Sequence, residues 1–278
     1  MQVITLFGPM NTAKSTFLLT CPGPIFAFDL ELGMGRADWR IKEISRELDR
    51  KVEYDKWTFE LTTDELLELV EFTRGGHIHG RIRQWNQMMT KFVEVVKSGL
   101  YKTIGFDTAK VLWDADNQSI LELRQQENPN KQTLDPMEYA APNLRMSNVI
   151  DICRRMDINL VLINHERDVY VKQLVNGQLR DVPSGEKELD GWRATMDLSD
   201  WVLYTDCDVK LQSGQVITLS STSSNSIPQG EFTFKTRIDK SPVGAALKGR
   251  VINGLAYSGL IRMEAMMKEQ VNGTTLLS

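Results

Sequence analysis

Three cysteines, Cys21, Cys153 and Cys207, are too few and too scattered among 278 residues to build a disulfide framework or a thiolate metal site. A reducing, cytoplasmic setting is expected. Basic charge is not in excess either: the formal net charge is -4, which excludes a surface coated in cations for nucleic acid but not a local patch. No run approaches the roughly 18 apolar residues of a membrane span, and no basic stretch followed by an apolar one opens the chain. Neither export nor membrane insertion is expected. His77 and His79 have no third ligand nearby, so no metal centre is expected on them. Internal repeats and a convincing interdomain linker are also missing. What remains, 41% hydrophobic and 25% charged, is an ordinary globular composition able to bury one large core.

The informative stretch is Gly8-Pro9-Met10-Asn11-Thr12-Ala13-Lys14-Ser15-Thr16, directly after the apolar run Val3 to Phe7. It reads as strand, tight turn and helix start, the order in which backbone N–H groups and a helix dipole converge on an anion. The spacing is G-x-x-x-x-G-K-[ST], except that Ala13 replaces the second glycine. Helical dihedrals at Ala13 would accommodate its methyl group. Lys14, as a point charge at an exposed anion site, would reach the β- and γ-phosphates of ATP, and the Ser15 hydroxyl would hold Mg²⁺. The plainer alternative is a capped helix with Asn11 or Thr12 as N-cap.

Pro22 and Pro24 end that first helix. Ile25 to Glu31 then forms a buried strand, closed by Gly33 and Gly35. Open α/β sheets place their chemistry at such strand ends, which makes Glu31 a candidate for polarising the attacking water, with Asp29 competing. Arg36 to Arg50 suggests a surface helix, Val52 to Leu61 a strand, and Thr62 onward a capped amphipathic helix. Residues 74 to 85 mix glycines, basic groups and Trp85, a composition able to grip single-stranded nucleic acid. Tyr101 to Thr108 is an apolar run ending in Asp107, which would orient Mg²⁺ or its water opposite Ser15; Gly105 interrupts its apolar pattern. Helices are expected over 110–126 and from Pro136 or Ala141 to Arg155. Asn159 to His165 is a further buried strand, whose terminal Asn164 and His165 could contact a γ-phosphate.

These four strand ends together resemble a bacteriophage P-loop ATPase of the RecA-like class, most similar to phage nucleotide-binding proteins of recombination and single-strand annealing. The resemblance spans residues 1 to 260. It implies an α/β fold with a mainly parallel central sheet flanked by helices, ATP and Mg²⁺ as cofactors, hydrolysis activated by Glu31, and Asp107 as the acid of the Walker B strand. It further implies Asn164 and His165 as the polar pair, a homo-oligomer with in-trans contacts at the nucleotide, single-stranded DNA as a partner, and a host cytoplasm if the protein is viral. A nucleotide-dependent assembly protein that hydrolyses poorly, and a small-molecule phosphotransferase, are the rival expectations.

The last third reads as β-hairpin additions. Asn176-Gly177 suits a tight turn between 168–173 and 178–182. Ser199 to Tyr204 is another strand, and the polar stretch 219–226 a mobile loop. Phe232 to Lys240 alternates as a strand bearing Lys235, Arg237 and Lys240. Lys235 and Arg237 share a face, and Lys240 would rejoin them only through the turn before Ser241-Pro242. The resemblance makes Arg237 the cation offered to a neighbour's γ-phosphate; the alternative is a charged edge strand that resists aggregation. Residues 261–278 are expected as a C-terminal tail, frayed from Asn272.

Overall fold

The computed structural model describes residues 1–59, 80–175, 178–219, 229–254 and 256–275. Five short strands, each buried along its whole length or nearly so, make the centre: β1 (Val3–Phe7), β2 (Ile25–Asp29), β4 (Thr103–Asp107), β5 (Asn159–Ile163) and the first half of β8 (Trp201–Lys210). With β3 (Tyr54–Trp57) at one edge they run parallel in the order β8-β1-β5-β4-β2-β3. Beyond β8 the sheet turns antiparallel, through β10 (Glu231–Lys240) and β11 (Val251–Asn253), while β9 (Val216–Thr218) pairs with the far half of β8. The expected mainly parallel sheet with C-terminal hairpin additions is the architecture found.

Strand alternation divides the core between two faces. Ile4, Leu6, Val161, Ile163 and Leu203 pack under α1 (Lys14–Leu19), α2 (Ile41–Glu47) and α7 (Tyr257–Thr275). Val3, Phe26, Phe28, Phe106, Leu160 and Leu162 pack under α3 (Arg81–Ser98), α4 (Ala109–Glu127) and α5 (Ala140–Arg155). Because both faces are covered, these strands read as continuous apolar runs rather than alternating ones. Gly105 is the interruption in β4, and its reason is steric: a Cβ there would lie 2.3 Å from Leu18 Cδ2, so the bare backbone is what lets α1 settle on the sheet.

Several expectations change. The helix expected over Arg36 to Arg50 begins only at Ile41, after two short 3₁₀ turns at Met34–Arg36 and Asp38–Arg40. The hairpin around residue 176 is much longer than its turn signal suggested: β6 (His165–Val175) starts immediately after β5 and pairs with β7 (Gln178–Asp190), which leads to the short α6 (Ala194–Leu198). The boundary expected after residue 260 falls inside α7, whose Leu260 is fully buried. Lys240 joins Lys235 and Arg237 by a different device. A β-bulge at Asp239 pairs Lys240 with Val202, Arg237 with Tyr204 and Lys235 with Asp206, so all three cations share one face before the turn is reached. The helix expected from Thr62, His77 and His79, the Asn176-Gly177 turn and the polar stretch 220–226 lie outside the described residues.

Candidate functional site

Every candidate group except Arg237, which lies on the antiparallel β10, sits at or just beyond the C-terminal end of a parallel strand, where open α/β sheets leave a crevice. At the end of β1, Gly8 has φ +148, and a Cβ on it would lie 2.1 Å from the Thr205 carbonyl oxygen, so only glycine lets the loop turn against β8. Thr12 fixes the loop's far side: its Oγ1 donates to the Pro9 carbonyl at 2.9 Å or shares a 2.7 Å hydrogen bond with Thr205 Oγ1. The N-cap of α1 is neither Asn11 nor Thr12 but Ala13, and its conformation is left-handed, φ 63 and ψ 22. That corrects the expectation of helical dihedrals. The backbone here wants the glycine that the spacing called for, and the chain tolerates an alanine.

Lys14 also differs from expectation. It is not exposed but buried, its ammonium donating to the carbonyls of Gly8 at 3.0 Å and Pro9 at 2.5 Å. Burial lowers its pKa to about 8, against the opposing pull of Asp107, Glu166 and Glu31. The ammonium has replaced water with loop carbonyls, which keeps it beside the anion site without hydration.

Ser15 Oγ donates to Asp107 Oδ2 at 2.5 Å, joining the start of α1 to the end of β4. Burial raises the Asp107 pKa; the Ser15 hydrogen bond opposes this, and the Asp29 carboxylate reinforces it. Asp29 pairs with Asp107 in register, is itself buried, and accepts from the Met34 N–H at 3.1 Å, so it anchors the turn after β2. Glu31 is two residues further, half exposed. Its Oε2 accepts from His165 Nε2 at 2.9 Å and its Oε1 from the Thr108 hydroxyl at 2.9 Å. The His165 hydrogen bond dominates in holding the Glu31 pKa below the usual carboxylate value. Of the two carboxylates, geometry therefore leaves Glu31 facing the cavity and commits Asp29 to the backbone.

Lys14, Ser15, Glu31, Asp107 and His165 line one cavity of about 540 Å³, within the usual range for a small-molecule site. Asn164 is buried and does not line it, its side chain lying against Gly191, its backbone N–H donating to the Leu6 carbonyl and its amide Nδ2 without a hydrogen-bond partner among the described residues. Arg237 stands apart from the cavity wall. Its guanidinium forks onto Asp239 at 2.6 and 3.1 Å and lies 4.6 Å from the centre of the Tyr204 ring. Lys235 pairs with Asp208, and Lys240 donates to the Met196 and Asp197 carbonyls at the end of α6. Among the described residues no cluster of three or more histidines, cysteines and carboxylates could hold a metal ion by itself. Mg²⁺ does not need one, because it takes one or two protein oxygens and completes its shell with water and phosphate. Ser15 and Asp107 fit that pattern.

A family model described as an AAA domain matches residues 1–226, the span that contains the loop and every strand of the parallel sheet. The chain belongs to that AAA domain family. It is thus an α/β P-loop NTPase domain, a nucleotide-binding ATPase by family. Among solved structures, a KaiC-like protein from the hyperthermophilic archaeon Pyrococcus horikoshii OT3 is similar at 11% identity and a TM-score of 0.43, over 91% of this chain and 84% of that one. No curated protein matches it. No helix among the described residues of this AAA domain is long and apolar enough to cross a membrane.

Sequence reasoning missed three parts of the site. Thr205 and Thr108 hold the loop and Glu31 through hydroxyls that no motif marks. Phe232 and Phe234 line the cavity from β10, and their signal was an i, i+2 aromatic pair in a strand read only for its cations.

Proposed function

We propose that this AAA domain binds ATP·Mg²⁺ over Lys14 and hydrolyses it, with Glu31 orienting and deprotonating the attacking water. The 2.5 Å contact between Ser15 and Asp107 supports this most directly, because it sets two hard oxygen donors side by side next to the phosphate-loop lysine. Those two residues would hold the ion, whose contribution is to neutralise phosphate charge. Lys14 binds phosphate oxygens through its ammonium. His165 and Thr108 fill one lone-pair site on each Glu31 oxygen and leave the others free to accept from a water.

Slow turnover by the isolated chain, with nucleotide setting assembly, is the reading best supported at the next level. Lys235, Arg237 and Lys240 are all engaged within their own subunit, so an in-trans cation must first leave its internal partner. Coupling to single-stranded DNA in phage recombination or annealing rests on the resemblance; of the stretch that suggested it, 74–79 lies outside the described residues, and Trp85 is buried in the core on α3 instead of being exposed for a base to stack on. Turnover per subunit, measured across a wide range of protein concentration with and without single-stranded DNA, tests all of this. A rise with concentration supports in-trans assembly, and stimulation by DNA supports the recombination role. Absent ATP binding in folded protein overturns the nucleotide reading itself.

A further inference from the structure

The far half of β8 and the start of β10 continue past the end of β1 as an antiparallel ribbon beside the phosphate loop. On one face of this ribbon the paired residues are Thr205 with Thr236, Cys207 with Phe234, and Val209 with Phe232. Thr205 is the residue that anchors Thr12 of the loop. At about 3.4 Å per residue, Phe234 and Phe232 therefore stand roughly 7 and 14 Å further along the strand than this anchor. Both rings line the same cavity as Lys14 and Ser15. They lie nearly parallel, 18° between planes and 6.4 Å between centres, and Phe232 is 40% exposed. Among the described residues neither ring belongs to a hydrophobic core cluster, and phosphate oxygens gain nothing from an aromatic pair.

We propose that Phe232 and Phe234 form the nucleobase subsite, the base stacking on a phenyl face while its phosphates lie over Lys14. This rests on the proposed nucleotide site and adds its base-binding end. Phenyl rings offer a π-face and no hydrogen-bonding group, so they register that a planar base is present rather than which base it is. ATP, GTP and CTP should accordingly bind with similar affinity.

Calorimetric titration of the full chain with Mg·ATP and with Mg·tripolyphosphate separates base from phosphate binding. Wild type should bind ATP about tenfold or more tighter than tripolyphosphate, the range expected for base–aromatic stacking. Phe232→Ala and Phe234→Leu, the second keeping apolar bulk without the π-face, should shrink that ratio to about threefold or less and leave tripolyphosphate affinity unchanged. An unchanged ratio in either folded variant overturns the subsite. So does an altered oligomeric state with the ratio intact, which would mean that the rings cover a neighbouring subunit. Equal binding of ATP and tripolyphosphate by wild type overturns the subsite but not the phosphate loop, whereas no binding of either ligand overturns both.

Discussion

His165 Nε2 and Glu31 Oε2 meet at 2.9 Å across the end of β4, the strand that lies between β5 and β2, each residue coming two positions after one of those strands ends. The contact ties the carboxylate that faces the cavity to the first residue of the β6–β7 hairpin. Glu31→Gln keeps the shape and removes the base, so turnover should fall about 100-fold or more with ATP affinity nearly unchanged. His165→Ala should cost about tenfold by freeing the carboxylate, and the double variant should be no slower than Glu31→Gln, because the pair acts as one unit. Asp29→Asn should instead lower thermal stability, through the turn it anchors. A turnover defect confined to Asp29→Asn would show that the wrong carboxylate has been chosen, whereas additive losses in the His165/Glu31 cycle would show that the two residues act independently.

Lys14 gives the site a pH dependence of definite sign. Its pKa of about 8 means that the free chain loses this positive charge above that pH, while bound phosphate favours the charged form, so that Lys14 takes up a proton on binding. Phosphate itself is fully ionised by then, its last pKa being about 6. ATP affinity should therefore fall as pH rises above about 8, by up to about tenfold per pH unit, with proton uptake on binding. Stability of the free chain runs the other way. Unfolded Lys14 keeps its proton up to about 10.5, so folding becomes more favourable as pH rises between the two values. Lys14→Arg stays charged throughout and should flatten the affinity profile; Lys14→Ala should lose binding in a folded chain. An equally steep profile in Lys14→Arg would assign the titration elsewhere.

Ala13 occupies a left-handed conformation that costs an alanine about 1–2 kcal/mol, and glycine returns roughly 0.5–1 of this through unfolded-chain entropy. Ala13→Gly should thus stabilise the chain by about 0.5–1 kcal/mol, visible as a higher thermal midpoint. Ala13→Val, adding a branched side chain at positive φ, should move the midpoint down. A lower midpoint for the glycine variant would mean that the methyl group makes a compensating contact.

The strands were legible because burial on both faces makes each a short apolar run bounded by glycine, proline or an acid, as at Ile25 to Asp29 and Asn159 to Ile163. Strand ends then located Lys14, Ser15, Asp107 and Glu31, since a parallel sheet delivers all its C-terminal ends to one side. What stayed hidden depends on partners distant in sequence. Nothing near Thr205 announces that it anchors Thr12, 193 residues away. The burial of Lys14 arises from the curl of its own loop, and the bulge at Asp239 that realigns Lys240 has no glycine to mark it.

Gly105 shows the converse, a residue that weakened a sequence pattern because it serves packing. Gly105→Ala would set a methyl group against Leu18, which is fully buried and has little space into which to retreat. Overpacking of this kind costs about 1–3 kcal/mol, and since Leu18 lies on α1 the displacement should also weaken ATP binding. Adding Leu18→Ala should recover part of the binding. Full affinity in Gly105→Ala would show that α1 can move without disturbing Lys14 and Ser15.

Arg237 decides between an in-trans catalytic cation and a charged edge. Within the subunit its fork onto Asp239 and its stacking on Tyr204 hold it on the face shared with Lys235 and Lys240. Tyr204 in turn donates to Glu166, the neighbour of His165, so the same ring touches both the arginine and the hairpin that grips Glu31. A neighbouring subunit's nucleotide would compete with Asp239 for the guanidinium, and a phosphoryl group gaining charge in its transition state is the stronger claimant. Arg237→Ala should therefore lower turnover about 100-fold or more without weakening ATP binding to the monomer. Asp239→Asn, which releases the arginine, should raise turnover at low protein concentration. A purely structural arginine predicts the opposite pair of results: reduced thermal stability for both variants and turnover per folded subunit unchanged. The decisive mixture combines Lys14→Ala with Arg237→Ala chains, each inactive alone. Some interfaces then join an intact loop to an intact arginine, so activity should partly return. No recovery in a verified mixed oligomer would leave Arg237 as the charge that keeps a sheet margin in solution.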